Sequence, residues 1–403
     1  MEIKGGASRD ITVAVFYCLR IVGMAPVSIK HLQDGYRFAF KRIYSVYGII
    51  LISSLNIGHI CIAGYDVING LKKEPTILGN NTVLVTLLWL FDVVTSVMIT
   101  QIVILRGMKQ TQNIIECCKK FDEIKGKVQI PRYTSIGYKV FLVLFFLSQI
   151  GLDALYTVGL TDTYQGEDYT LQTLLYCLTF SAVTKYVIVC LLQIQMFASY
   201  LEVALHVKYV REELQELNDT LTLDDSDSSF YVHSVNNRLK HIGETFESTK
   251  NIFSEMNESS PGVHALILLN LSFRLVINLH GISGFLINPE TNFDPSLQDE
   301  IPMWIFVCDA THIIVGIMLM TQPYANMECE LRIVKLLLGS IMTMKNYVYN
   351  VFPYVDMFYR DLISFDFTYS PLGVVTMQRS IVVQVIGVGI TIIAAIVQFQ
   401  KKK

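Results

Sequence analysis

Three polar side chains recur every seven residues near the C-terminal end of an otherwise apolar run: Gln384, Thr391 and Gln398. Filled in at steps of four and three, the stripe reads Gln384, Val388, Thr391, Ala395 and Gln398, all on one face of a helix. An amide that faces hydrocarbon without a partner costs several kcal/mol, so a lipid-facing stripe would not carry two glutamines. It must meet water or another helix. One reading is a pore wall built from several copies of this helix around an axis. The other is a polar seam against a neighbouring span. Periodicity alone does not separate them.

A second set of groups lies inside apolar stretches: Asp92, Asp153, Lys185, Arg274 and Asp309, with His280 and the aromatic residues Trp89, Tyr156, Tyr186 and Trp304 at similar depth. Ionisable side chains in a bilayer are rare and face protein or a wet cavity. Aromatic walls with a few polar groups suit a pocket for a small organic molecule, entered from outside. Structural ion pairing with interfacial aromatic anchors explains the same residues.

Both sets need membrane helices to position them, and composition agrees. Of the 403 residues, 52% are hydrophobic and only 17% charged, with a net charge of −3. Mean hydropathy is +0.43 and the pI is near 6.3. A water-soluble globule of this size could not cover its surface with so few charges. The apolar content excludes disorder, and the pI argues against a nucleic-acid binder. Seven stretches are long enough to cross a bilayer: Ile43 to Ala63, Val83 to Leu105, Ile136 to Val158, Leu174 to Ala198, Val263 to Leu286, Pro302 to Met320 and Ile381 to Phe399. The expected fold is all-α and polytopic.

Lys and Arg set the expected orientation. Residues 1–42 carry seven, the loop after the second span seven, and the loops after the fourth and sixth spans five each. The opposite side has Lys72, Lys73 and the terminal triplet from Lys401. Cytoplasmic loops accumulate these residues, which places the N-terminus inside and the C-terminus outside. Residues 1–42 then form a cytoplasmic segment, with an amphipathic helix around Ile11 to Leu19 at the membrane surface. Residues 43–320 form a six-helix bundle, 321–380 a second inner segment, and 381–403 the last helix with a short outer tail.

The long inner loop at 199–262 carries helical apolar spacing at Val210, Leu214, Leu217 and Leu221, continuing the fourth span beyond the membrane. A second polar helix should run from about Phe230 to Met256. Leu331, Val334, Leu337 and Leu338 repeat the pattern after the sixth span. Apolar stripes need something to bury against, so these extensions should form one bundle. The eight cysteines avoid the outer loops, and no zinc spacing, phosphate loop or nucleophile elbow occurs. Neither enzymatic chemistry nor a metal or cofactor is expected.

The C-terminal run Thr391-Ile392-Ile393-Ala394-Ala395-Ile396-Val397-Gln398-Phe399 resembles the end of insect gustatory receptors, in which Thr-Tyr, five hydrophobic residues and Gln-Phe close the seventh span. Ile392 stands where that family has Tyr. Phe365-Asp366-Phe367 is similar to the family's aromatic-acidic approach to this span. The resemblance implies a ligand-gated, non-selective cation channel related to insect odorant receptors. It implies a homo- or heterotetramer in the plasma membrane of a sensory neuron, opened by a small-molecule tastant. Gln398 and Phe399 would then form the outer gate, with Thr391 and Ala395 deeper on the same wall. The alternatives are a seven-helix G-protein-coupled receptor, which the inside N-terminus opposes, and a non-conducting co-subunit of a heteromeric taste receptor.

Overall fold

The computed structural model describes residues 2–4, 7–32, 35–71, 83–124, 132–162, 169–223, 229–287, 303–343 and 352–400. The expected spans fall within single helices, save that Pro302 at the start of the sixth lies outside the described residues: α2 (Arg42–Leu71), α3 (Val83–Ile124), α4 (Arg132–Asp162), α5 (Tyr169–Leu223), α7 (Pro261–Ile287), α8 (Met303–Thr343) and α10 (Ser380–Gln400). Among the described residues, the first six of these are long and apolar enough to cross a membrane. The last helix, of 21 residues, is about 30 Å long.

Exposure sorts these helices by position. The most apolar stretch of α5 is 89% buried, against 22% in α2 and 28% in α4. Thus α5 is the central column, touched by α2, α3, α4 and α8. α2 and α4 present Ile43, Ile50, Ile57, Val143, Leu144 and Leu147 outward. An apolar belt of that extent is unsupportable in water and fits lipid.

Length explains the other end. α3, α5 and α8 run to 42, 55 and 41 residues, roughly 60 to 80 Å, about twice a bilayer core or more. Their extensions are polar outside and carry the expected apolar stripes inside. Val210, Leu214 and Leu217 of α5 bury against Leu239, Ile242 and Phe246 of α6 (Ser229–Ser259) and against Leu331, Val334 and Leu338 of α8. α9 (Phe352–Ser364) closes this bundle with Phe358 and Leu362. Ion pairs stitch its rim: Arg211 to Glu330 at 2.6 Å, Arg238 to Glu216 at 2.8 Å and Lys250 to Asp361 at 2.6 Å. Lys120 of α3 also pairs with Glu255 of α6.

The fold is mostly helical, as expected, and the N-terminal segment adds one small sheet. The three strands of this antiparallel sheet are β1 (Glu2–Lys4), β2 (Val27–Leu32) and β3 (Gly35–Phe40), with β3 in the middle. Lys30 faces Arg37 and Val27 faces Phe40. The expected helix forms as α1 (Ala7–Ile21), but Ile11, Val15, Phe16 and Leu19 are buried inside the protein. They pack against α5, α4 and the sheet rather than lying free for lipid. Asp10 accepts hydrogen bonds from Tyr36 and Lys139, each at 2.8 Å, tying helix, sheet and α4 together. Burial and that carboxylate push the Tyr36 phenol up to about 12.

The connection into α10 is held by rings. Phe365 and Phe367 meet edge to face at 5.0 Å, and Phe367 packs at 5.0 Å on Phe253 of α6. The Tyr369 hydroxyl lies 2.8 Å from His264 Nδ1 at the start of α7, and its ring stacks on Tyr324 of α8.

Candidate functional site

Arg274 sits in the second third of α7 with Asn270 one turn before it and Asn278 one turn after, so all three project on one face. Opposite them stand Asp92 of α3, Tyr186 of α5 and Asp309 of α8. The hydrogen bonds form one continuous network. Arg274 donates to Asp309 Oδ1 at 2.7 Å, and Asn278 to Oδ2 at 2.6 Å. Asn270 donates to Asp92 Oδ1 at 2.6 Å, and the Tyr186 hydroxyl to Oδ2 at 2.7 Å. The Arg274 guanidinium lies over the Tyr186 ring, 3.8 Å from its centre, joining the two halves.

Both carboxylates are buried, and the Arg274 and Asp309 side chains are only 7% and 4% exposed. In a medium without water such charges persist only when paired and hydrogen-bonded. The network therefore ties α3, α5, α7 and α8 into one unit at the level of the spans. Of the sequence candidates, it unites Asp92, Tyr186, Arg274 and Asp309.

The other candidates lie apart from these contacts. Asp153 accepts from Gln149 on its own helix at 2.7 Å. Lys185 is fully buried, and its Nζ has no hydrogen-bond partner among the described residues. His280 is half-buried and Trp304 is 51% exposed on α8. The side chains of Trp89 and Tyr156 lie outside the described residues. Sequence reading missed Asn270, although its spacing of four from Arg274 and eight from Asn278 was the signal.

A different arrangement holds α10. One side packs on α7, where Gly389 is so close to Leu279 that a Cβ would stand 3.1 Å from its methyl group. The opposite side is bare: Gln384, Val388, Thr391 and Gln398 are all exposed in the single chain. Thr391 satisfies itself, donating to the Gly387 carbonyl at 2.8 Å. The two glutamines are therefore the members of the stripe that demand a polar neighbour. The side chains of Ala395 and Phe399 lie outside the described residues.

No protein-family model matches this chain, and no curated protein matches it in sequence. Solved structures do match it. The insect olfactory receptor OR5 from Machilis hrabei superposes with a TM-score of 0.60 at 12% identity, covering 97% of this chain and 98% of that one. The same receptor in complex with eugenol gives 0.60 at 13% identity over the same shares. At such identity the likeness shows a shared fold, and in that sense the resemblance to insect chemosensory receptors is borne out over nearly the whole chain.

Proposed function

We propose that this chain is one subunit of a chemosensory cation channel, gustatory in type, opened by a small organic tastant and assembled as a tetramer around α10. The observation that carries the reading is the bare stripe of α10. A helix that seats one side on its own chain and turns Gln384 and Gln398 outward needs a wet or polar environment that lipid does not supply. Copies of the same helix around an axis supply it. The shared fold with an insect olfactory receptor supports the reading, and that receptor's complex with eugenol makes a small organic molecule the natural ligand class.

In this reading the N-terminus and the polar helical bundle are cytoplasmic and α10 ends outside, following the Lys and Arg distribution. The ligand enters among the first six helices near Asp92, Asp153, Lys185, Tyr186, Arg274, His280 and Asp309, with Trp89, Tyr156 and Trp304 around the entrance. Gln398 lines the outer mouth of the pore, and Phe399 narrows it by dewetting. Binding that favours the dilated state by a few kcal/mol suffices to open it.

The test is thiol accessibility in cells expressing the chain. A charged, membrane-impermeant reagent applied from outside should react with Gln398→Cys and abolish tastant-evoked current, leaving Leu336→Cys unmodified. A Gln398→Cys protein that reaches the surface yet never reacts would overturn both the pore wall and the orientation.

A further inference from the structure

The segment that links α1 to β2 is wedged between two spans by glycine contacts. Gly23, at φ +81°, lies against Gly48 of α2 so tightly that a Cβ on Gly48 would fall 1.8 Å from the Gly23 carbonyl oxygen. On the other side, a Cβ on Gly107 of α3 would come within 2.8 Å of the Met24 oxygen. Tyr47 donates to the Ile21 carbonyl at 3.1 Å, and the Lys41 amide to that of Pro26 at 3.0 Å. This fixes the height of everything beside the wedge.

Two cations converge there on one ring. The Arg20 guanidinium lies 5.4 Å from the Tyr17 ring centre and 5.5 Å from that of Tyr44. Lys41 Nζ approaches the same Tyr44 ring at 5.9 Å. Arg42 follows at once, and Arg106 and Lys109 flank Gly107; Lys41 and all three of these are exposed. Among the described residues, none of these five is paired with a carboxylate, whereas the basic residues of the helical bundle nearly all are. Next to them stand bare apolar side chains: Ile21 at 69%, Ile43 at 71% and Leu105 at 70% exposure.

Unneutralised cations held on aromatic rings, at the base of a lipid-facing apolar belt, match one occupant. We infer that this wedge is a binding site for an acidic phospholipid of the inner leaflet. Its phosphate sits between Arg20 and Lys41, and its acyl chains lie along the exposed faces of α2 and α3. Each basic group near a membrane surface strengthens such binding several-fold, and Arg adds the fork that suits a phosphate. The assignment to the inner leaflet rests on the proposed orientation; the site itself does not.

The test is native mass spectrometry of the full-length protein extracted from vesicles of phosphatidylcholine with one-fifth phosphatidylserine. Wild type should retain the acidic lipid preferentially. Arg20→Gln/Lys41→Gln should retain roughly five- to thirty-fold less. Because Arg20 is partly packed, Lys41→Glu alone, at an exposed position, should also lose it, while Lys119→Gln/Lys240→Gln should behave as wild type. Equal retention by wild type and Lys41→Glu, or complete displacement by a soluble inositol phosphate, would overturn the lipid site. The same spectra give the subunit count, so retained lipid on a single chain would sink the channel and leave this site standing.

Discussion

At the scale of single residues, the Arg274–Asp309 pair carries the sharpest expectation. Asp309→Asn removes the one carboxylate among the described residues that bonds Arg274 directly and leaves a buried cation over Tyr186. The expected loss is about 3–5 kcal/mol of stability, read as a drop in the melting temperature of the solubilised protein. Replacing both partners, Arg274→Met with Asp309→Leu, should recover most of it, because a paired charge is costly chiefly when broken. A double variant as unstable as the single would refute this account. A second residue points the other way. Leu372, 64% exposed, holds φ at 55°, where a Cβ is strained, in the turn that enters α10. Leu372→Gly should stabilise the fold by up to about 1 kcal/mol. The sequence marked Arg274, Asp92 and Asp309 as out of place in apolar runs, but not who pairs with whom. Pairing depends on helix rotation and neighbour order, and hydropathy carries neither.

At the scale of elements, the six helices long and apolar enough to cross a membrane were legible because twenty apolar residues admit little else in a bilayer. The extensions of α5 and α8 were legible because their stripes recur at helical spacing. The sheet was not foreseen, although its signals were present. Tyr36-Arg37-Phe38-Ala39-Phe40 alternates in burial, and the sequence Asp34-Gly35 is a dipeptide that favours turns. The run is short, and β1 pairs from 31 to 35 residues upstream, a partnership that local periodicity cannot show. The wedge that the sheet anchors yields a further prediction. Gly48→Val would drive its side chain into the Gly23 carbonyl. It should cost roughly 1–3 kcal/mol or block folding. Gly64→Val, on the same helix with open space around its Cβ position, should have little effect on the melting temperature.

At the scale of the whole molecule, one chain does not account for its own surface. α2 and α4 expose apolar side chains as lipid requires, whereas α10 exposes two glutamines among valines and isoleucines. Wetting distinguishes a shared axis from a dry seam between copies. If four copies of Gln398 ring a water-filled mouth, Gln398→Glu adds four carboxylates to the permeation path, and their field concentrates divalent cations there. Calcium permeability relative to sodium, taken from reversal potentials of the tastant-evoked current, should rise roughly two-fold or more. At a dry seam the same substitution would bury unpaired charges and abolish surface expression instead. Normal expression with unchanged selectivity would place Gln398 away from the ions and remove the central support for a pore around α10.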